Sequence, residues 1–116
     1  MGDLRIQVMW GDQLPMMDIN GAADPYVIIK HHNEKAKTTV KSSTLHPQWY
    51  ETFKMKIEDL SKPLKFVMWD KDKVGSDEKM GNASFDLTKL VPNHSDRFAL
   101  QLNTKGALYV ELELTT

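Results

Sequence analysis

Four aspartates fall in two short turns of this chain, and their pairing is the first sign of chemistry. Asp18 and Asp24 bracket a loop containing Asn20-Gly21, while Asp70 and Asp72 flank Lys71 in the run Trp69-Asp70-Lys71-Asp72-Lys73-Val74-Gly75-Ser76-Asp77-Glu78. Asp70 and Asp72 share a parity at the end of a strand pattern, so both carboxylates can address the same space. Asp18 and Asp24 can meet across their Gly-containing loop. Two negative charges ~4 Å apart repel by about 1 kcal/mol in water and by about 4 kcal/mol at an effective dielectric of roughly 20. A hard cation removes that repulsion. Calcium, which takes about six to eight oxygen ligands in adaptable geometry, suits such a set.

Competing readings are weaker. Asp and Asn-Gly form ordinary turns in many proteins, but two acidic loops in one short chain go beyond that need. Asp70-Lys71-Asp72-Lys73-Val74-Gly75 begins like an EF-hand loop. It then fails, because Val74 takes a ligand position and Gly81 stands where a bidentate Glu is required. The histidines, His31, His32, His46 and His94, form no H-E-x-x-H spacing, and neither a G-x-S-x-G elbow nor a phosphate loop is present. Paired carboxylates can serve glycosidase chemistry, yet these lie at loop ends. The chain is therefore not expected to be an enzyme.

Positioning these loops falls to strands. Period-two alternation runs through Leu4-Ile6-Val8-Trp10, Pro25 to Lys30, Phe53-Met55-Ile57, Leu64-Phe66-Met68, Ala83-Phe85-Leu87, Phe98-Leu100-Leu102 and Leu108-Val110-Leu112-Leu114. The segment Lys35 to Lys41 adds an eighth strand. Turn signals separate them: Asn20-Gly21, His46-Pro47, Lys62-Pro63, Gly75, Pro92-Asn93 and Asn103 to Gly106. One helical turn is expected near Thr88 to Val91. Many short, evenly spaced strands predict an all-β sandwich, and 116 residues without a linker or repeat predict a single domain over 1–116.

A net charge of −1 gives no global reason to bind nucleic acid, so electrostatic function must come from local patches. The absence of cysteine excludes a disulfide scaffold and thiolate metal sites, and suits the cytoplasm. No apolar run approaches the ~20 residues that cross a bilayer.

The chain resembles the C2 domain family of protein kinase C and synaptotagmin. The matching segments are Leu14-Pro15 with Asp18 to Val27, Thr44-Leu45-His46-Pro47-Gln48-Trp49 to Phe53, Leu64 to Asp72, Met80-Gly81, and Gly106 to Leu112. They cover nearly the whole chain in order. The resemblance implies an eight-stranded antiparallel Greek-key β-sandwich with calcium held among three loops at one end. It places acidic ligands at Asp18, Asp24, Asp70 and Asp72, with a fifth at Glu78 or its neighbour Asp77. Backbone carbonyls of Met17 and Lys71 correspond to family ligands. The first strand leads directly into the first acidic loop, which resembles the family's type II permutation, with the strand ending in Leu114 filling the place of an earlier one.

Apolar tips flank the acids: Met16, Met17 and Ile19 in the first loop, Val74 in the third. Burying one such side chain contributes ~1.5–3 kcal/mol, so these tips can insert into an anionic phospholipid membrane once metal neutralises the loops. The expectation is a cytoplasmic, calcium-dependent, peripheral membrane module. The resemblance also makes Lys30, Lys35, Lys37 and Lys41, with Tyr26 and Trp69, the family's lysine-rich cluster, which binds phosphoinositides in some members. The alternative on the same fold is a calcium-independent protein-protein interaction module.

Overall fold

The computed structural model describes residues 2–17, 23–72 and 74–116. Among them eight strands form two antiparallel sheets. In chain order they are β1 (Gly2–Asp12), β2 (Pro25–His31), β3 (Glu34–Lys37), β4 (Gln48–Ile57), β5 (Leu64–Asp70), β6 (Glu78–Phe85), β7 (Asp96–Gln101) and β8 (Ala107–Thr115). The first sheet has the order β4-β1-β8-β7 and the second β3-β2-β5-β6. The chain crosses between sheets after β1, β3, β4 and β6, giving a Greek-key sandwich. The strand ending in Leu114 lies between β1 and β7, the place expected of it in the type II arrangement.

Alternation explains the core. Leu4, Ile6 and Val8 of β1, Val27 and Ile29 of β2, Phe66 and Met68 of β5, and Leu108, Val110 and Leu112 of β8 bury their side chains between the sheets. Their pleat partners face outward. Phe85 and Phe98 close the far end, with ring centroids 4.5 Å apart. Leu87 to Lys89 make one 3₁₀ turn, N-capped by Asp86, whose carboxylate accepts from the Thr88 N–H. It starts slightly before the expected helical turn and removes Leu87 from the strand that its parity suggested.

Three further sequence expectations change. Trp10 does not share the inward parity of Leu4, Ile6 and Val8. A bulge between Val8 and Trp10 turns it outward, opposite Tyr109, whose ring it stacks on at 4.8 Å. Lys41 lies beyond β3, which ends at Lys37, so Lys35, Lys37 and Lys41 do not line one strand face. Leu102 falls just past β7, although it stays buried.

The connections after β1, β3, β5 and β7 gather at one end. Gly81, at φ +156°, lets the β7–β8 turn lie against β6, because a Cβ there would meet Thr104 Oγ1 at 2.6 Å. Thr104 donates to the Met80 carbonyl at 2.6 Å and the Asn82 N–H to Asn103 Oδ1 at 2.8 Å.

Candidate metal centre and lysine face

The acidic end is assembled by strand register. Pro25 stands opposite Asp70, and two bonds lace the strand ends: the Asp24 N–H donates to the Asp70 carboxylate Oδ1 at 2.8 Å, and the Lys71 N–H donates to the Asp24 carbonyl at 2.9 Å. Asp24 Oδ1 in turn accepts from the Ser43 N–H at 2.7 Å, tying the middle loop to the first. Asp70 is 1% exposed, and at that depth its charge depends on nearby donors or a cation.

A second bulge selects the third carboxylate. Through Met68, β5 pairs with β6 in one register, with Met68 opposite Gly81. The register then shifts by one, so Trp69 faces Lys79 and Asp70 faces Glu78. Without the shift, Lys79 would stand beside Asp70. With it, Asp70, Asp72 and Glu78 each offer a carboxylate oxygen, all within 4.8 Å of one another. This donor set is all oxygen and anionic, which suits a hard divalent cation such as calcium.

Asp77 is engaged elsewhere. Its carboxylate accepts from the Tyr26 hydroxyl and from the Asp72 N–H at 3.0 Å, with Lys71 Nζ 3.8 Å away. These donors, Tyr26 first, hold the Asp77 carboxyl below its usual range. Burial, followed by the bond to Asp77, pushes the Tyr26 phenol up to about 12. Of the two candidates for the fifth acid, the geometry groups Glu78 with Asp70 and Asp72, and it gives Asp77 to Tyr26.

The tips divide as well. Val74 is 90% exposed and Met16 68%, whereas Met17 packs against the core, contrary to its place among the expected tips. Asp18 and Ile19 lie outside the described residues.

The expected lysine cluster spreads over several rows of the second sheet, with Lys37 opposite Ile28 between them. Tyr26 pairs with Trp69 beside the acidic end, and Lys37 Nζ sits 5.1 Å from the Tyr26 ring centroid. Lys30 pairs with Lys35 and with Lys65 four residues farther along β2. At ~3.3 Å per residue those rows are about 13 Å apart. Lys41 belongs to the middle loop, its N–H donating to the Pro25 carbonyl at 3.0 Å. Sequence reasoning missed Lys65. Its parity with Val67 and Trp69 placed it outward, but only cross-strand register sets it beside Lys30.

The C2 domain family profile matches residues 2–102, so the chain belongs to the C2 domain family. Among curated relatives, it is 37% identical over 87 residues to Protein C2-DOMAIN ABA-RELATED 3 of Arabidopsis thaliana, covering 75% of this chain and 51% of that protein. It is 37% identical over 105 residues to Synaptotagmin-1 of the same plant, covering 87% of this chain and 19% of that protein. The chain thus spans about half or less of these relatives. Among solved structures, a C2 domain of plant Extended Synaptotagmin 1 superposes with a TM-score of 0.92 at 35% identity, covering 98% of this chain and 94% of that one. A calcium-bound structure of two C2 domains of Extended-Synaptotagmin 2 superposes with a TM-score of 0.79 at 27% identity, covering 97% of this chain and 45% of that one. The fold and the family both point to a lipid- and membrane-binding module in general. Among the described residues no helix is long and apolar enough to cross a membrane.

Proposed function

We propose that this chain is a calcium-triggered docking module for anionic phospholipid membranes at the cytoplasmic face. The observation that carries the reading is the trio Asp70, Asp72 and Glu78, whose ligand oxygens converge within 4.8 Å next to the 90%-exposed Val74. Asp24, fixed by Ser43 and Asp70, would add a carboxylate, with Asp18 and the carbonyls of Met17 and Lys71 completing the shell. Calcium, when bound, supplies the positive charge that offsets the crowded carboxylates. The residues of the chain do the rest. Asp77 holds the third loop in place through Asp72 and Tyr26, and Met16, Val74 and Ile19 supply apolar contact to lipid.

The sign of the switch follows from charge. The bare acidic end is repelled by an anionic leaflet, and the filled end is not. Vesicle cosedimentation tests this. Wild type is expected to pellet with phosphatidylserine-containing vesicles far more strongly in calcium than in chelator, and Asp70→Asn with Asp72→Asn is expected to lose that difference. Equal pelleting in both conditions would overturn the calcium trigger, and failure of the wild type to pellet in either would favour the calcium-independent protein-interaction module.

A further inference from the structure

The outer face of the first sheet carries a row of aromatic rings that the metal centre does not use. Tyr50 of β4, Trp10 of β1 and Tyr109 of β8 lie side by side across three adjacent strands. The Trp10 ring stacks on Tyr109 with centroids 4.8 Å apart and meets Tyr50 at 5.9 Å, tilted by 45°. A bulge assembles them. β1 changes register between Val8 and Trp10 against both of its neighbours, and Tyr50, in the matching stretch of β4, adopts φ +50°. A left-handed conformation is costly for a bulky side chain. Here it delivers a ring that stays 53% exposed, so burial does not account for the strain.

The row borders two open cavities, of about 350 and 250 Å³, and Asp12 lines both. Asp12 stands two residues beyond Trp10 on the same strand, about 7 Å along it. One oxygen of its carboxylate bonds His46 Nδ1 at 2.7 Å, and the side chain remains 42% exposed. No lysine or arginine among the described residues lines either cavity. The arginines of this sheet are held by acids elsewhere: Arg5 bonds Glu113 at 2.7 Å, and Arg97 bonds Glu111 at 3.1 Å. Aromatic faces beside a carboxylate, with no ammonium or guanidinium lining the site, complement a cation. A guanidinium suits both parts, because it stacks on rings and presents a fork of donors to a carboxylate.

We propose that this row docks an extended, proline-flanked arginine segment of a protein partner, with the prolines on Tyr50, Trp10 and Tyr109 and the guanidinium on Asp12. Three adjacent strands spread the row over about 10 Å, the length of roughly three residues of polyproline II. Such segments dock on aromatic-lined surfaces because they are already extended and lose little freedom on binding. Anionic lipid is a poorer match, since the row lies on the flank of the sandwich and its carboxylate repels that surface. The reading does not rest on the metal centre, and its test needs neither calcium nor lipid, so either can fail alone.

The probe is the peptide acetyl-Pro-Pro-Arg-Pro-Pro-amide, titrated in chelator and followed by the assigned Trp10 indole N–H resonance. Its control carries citrulline, the neutral isostere, in place of arginine. The arginine peptide is expected to shift that resonance and to bind about tenfold more tightly than the control, the combined scale of a cation on aromatic faces and an exposed ion pair. Asp12→Asn should weaken the arginine peptide by about threefold and leave the citrulline peptide unchanged. Tyr50→Gly should weaken both peptides while the melting temperature holds, because glycine adopts φ +50° without strain. Asp70→Asn with Asp72→Asn should change binding by less than about twofold. A larger loss there would put the cation at the acidic loops and overturn the site. Equal affinity for the two peptides, or an equal effect of Asp12→Asn on both, would overturn recognition of the cation. A Trp10 shift with phosphatidylcholine vesicles but with neither peptide would overturn the protein partner in favour of a lipid headgroup.

Discussion

The acidic loops and the lysine row both concentrate like charge, yet they do so with different machinery. At the loop end, bonds from the Asp24 N–H to the Asp70 carboxylate and from the Lys71 N–H to the Asp24 carbonyl fix the strand ends, and a bulge in β6 adds Glu78. Short carboxylate side chains on a locked backbone converge on a point. At the lysine row the backbone is equally regular, but the charges ride on four-carbon stems and spread across three strands. A point of negative charge recognises an ion with defined coordination, while a spread of ammonium groups recognises a surface. On the proposed reading the first would act as a switch and the second as a constant attraction that salt screens.

Three perturbations separate these behaviours. The largest is expected from the metal. Calcium at about 100 times its dissociation constant stabilises a folded site by about 2.7 kcal/mol, or roughly 10 °C in melting temperature for a chain of this size. Scanning calorimetry should show that shift in wild type and its loss in Asp70→Asn with Asp72→Asn. Lys30→Ala with Lys65→Ala should keep it. Loss in the lysine variant would break the comparison by coupling the two regions.

Val74→Asp comes next. An exposed valine leaving lipid contact costs about tenfold in vesicle affinity, so cosedimentation in calcium should fall by that order. The calorimetric calcium shift should stay unchanged, because the Val74 side chain offers no ligand atom.

Asp77→Asn has the smallest expected effect and tests the link between the regions. The depressed Asp77 carboxyl contributes stability that is present above the ordinary carboxylate range and is lost as pH falls through its folded value. The raised Tyr26 phenol works in the opposite direction: its contribution is whole below pH 10 and is lost as pH rises toward about 12. Melting temperature followed against pH should show both arms in wild type. The variant should shrink the acid arm, which Asp59, Asp86 and Glu111 also feed, and soften the alkaline one, with the calcium shift preserved if Glu78 is the ligand. Loss of the calcium shift would restore Asp77 to the coordination sphere.

Much of this molecule was legible in the residue order. Alternation in Leu4-Ile6-Val8 and Leu108-Val110-Leu112 fixed which faces are buried, since a strand has two sides and one must leave water. Acid spacing in Asp70-Lys71-Asp72 showed where carboxylates meet, because parity alone decides it. Bulges broke the inference wherever they occurred. Each adds a residue that reverses parity beyond it, which is why Trp10 faces out and why Glu78, not Lys79, stands beside Asp70. Cross-strand register was equally hidden. The lysines at 30, 35 and 65 are far apart in the chain, and only pairing across β3, β2 and β5 lines them up. The chain's own order thus determined the sandwich, its core and the sites of crowded acids, all consequences of local period. Tertiary pairing decided which acid completes the trio and which lysines stand together, since both depend on hydrogen-bond register between distant segments.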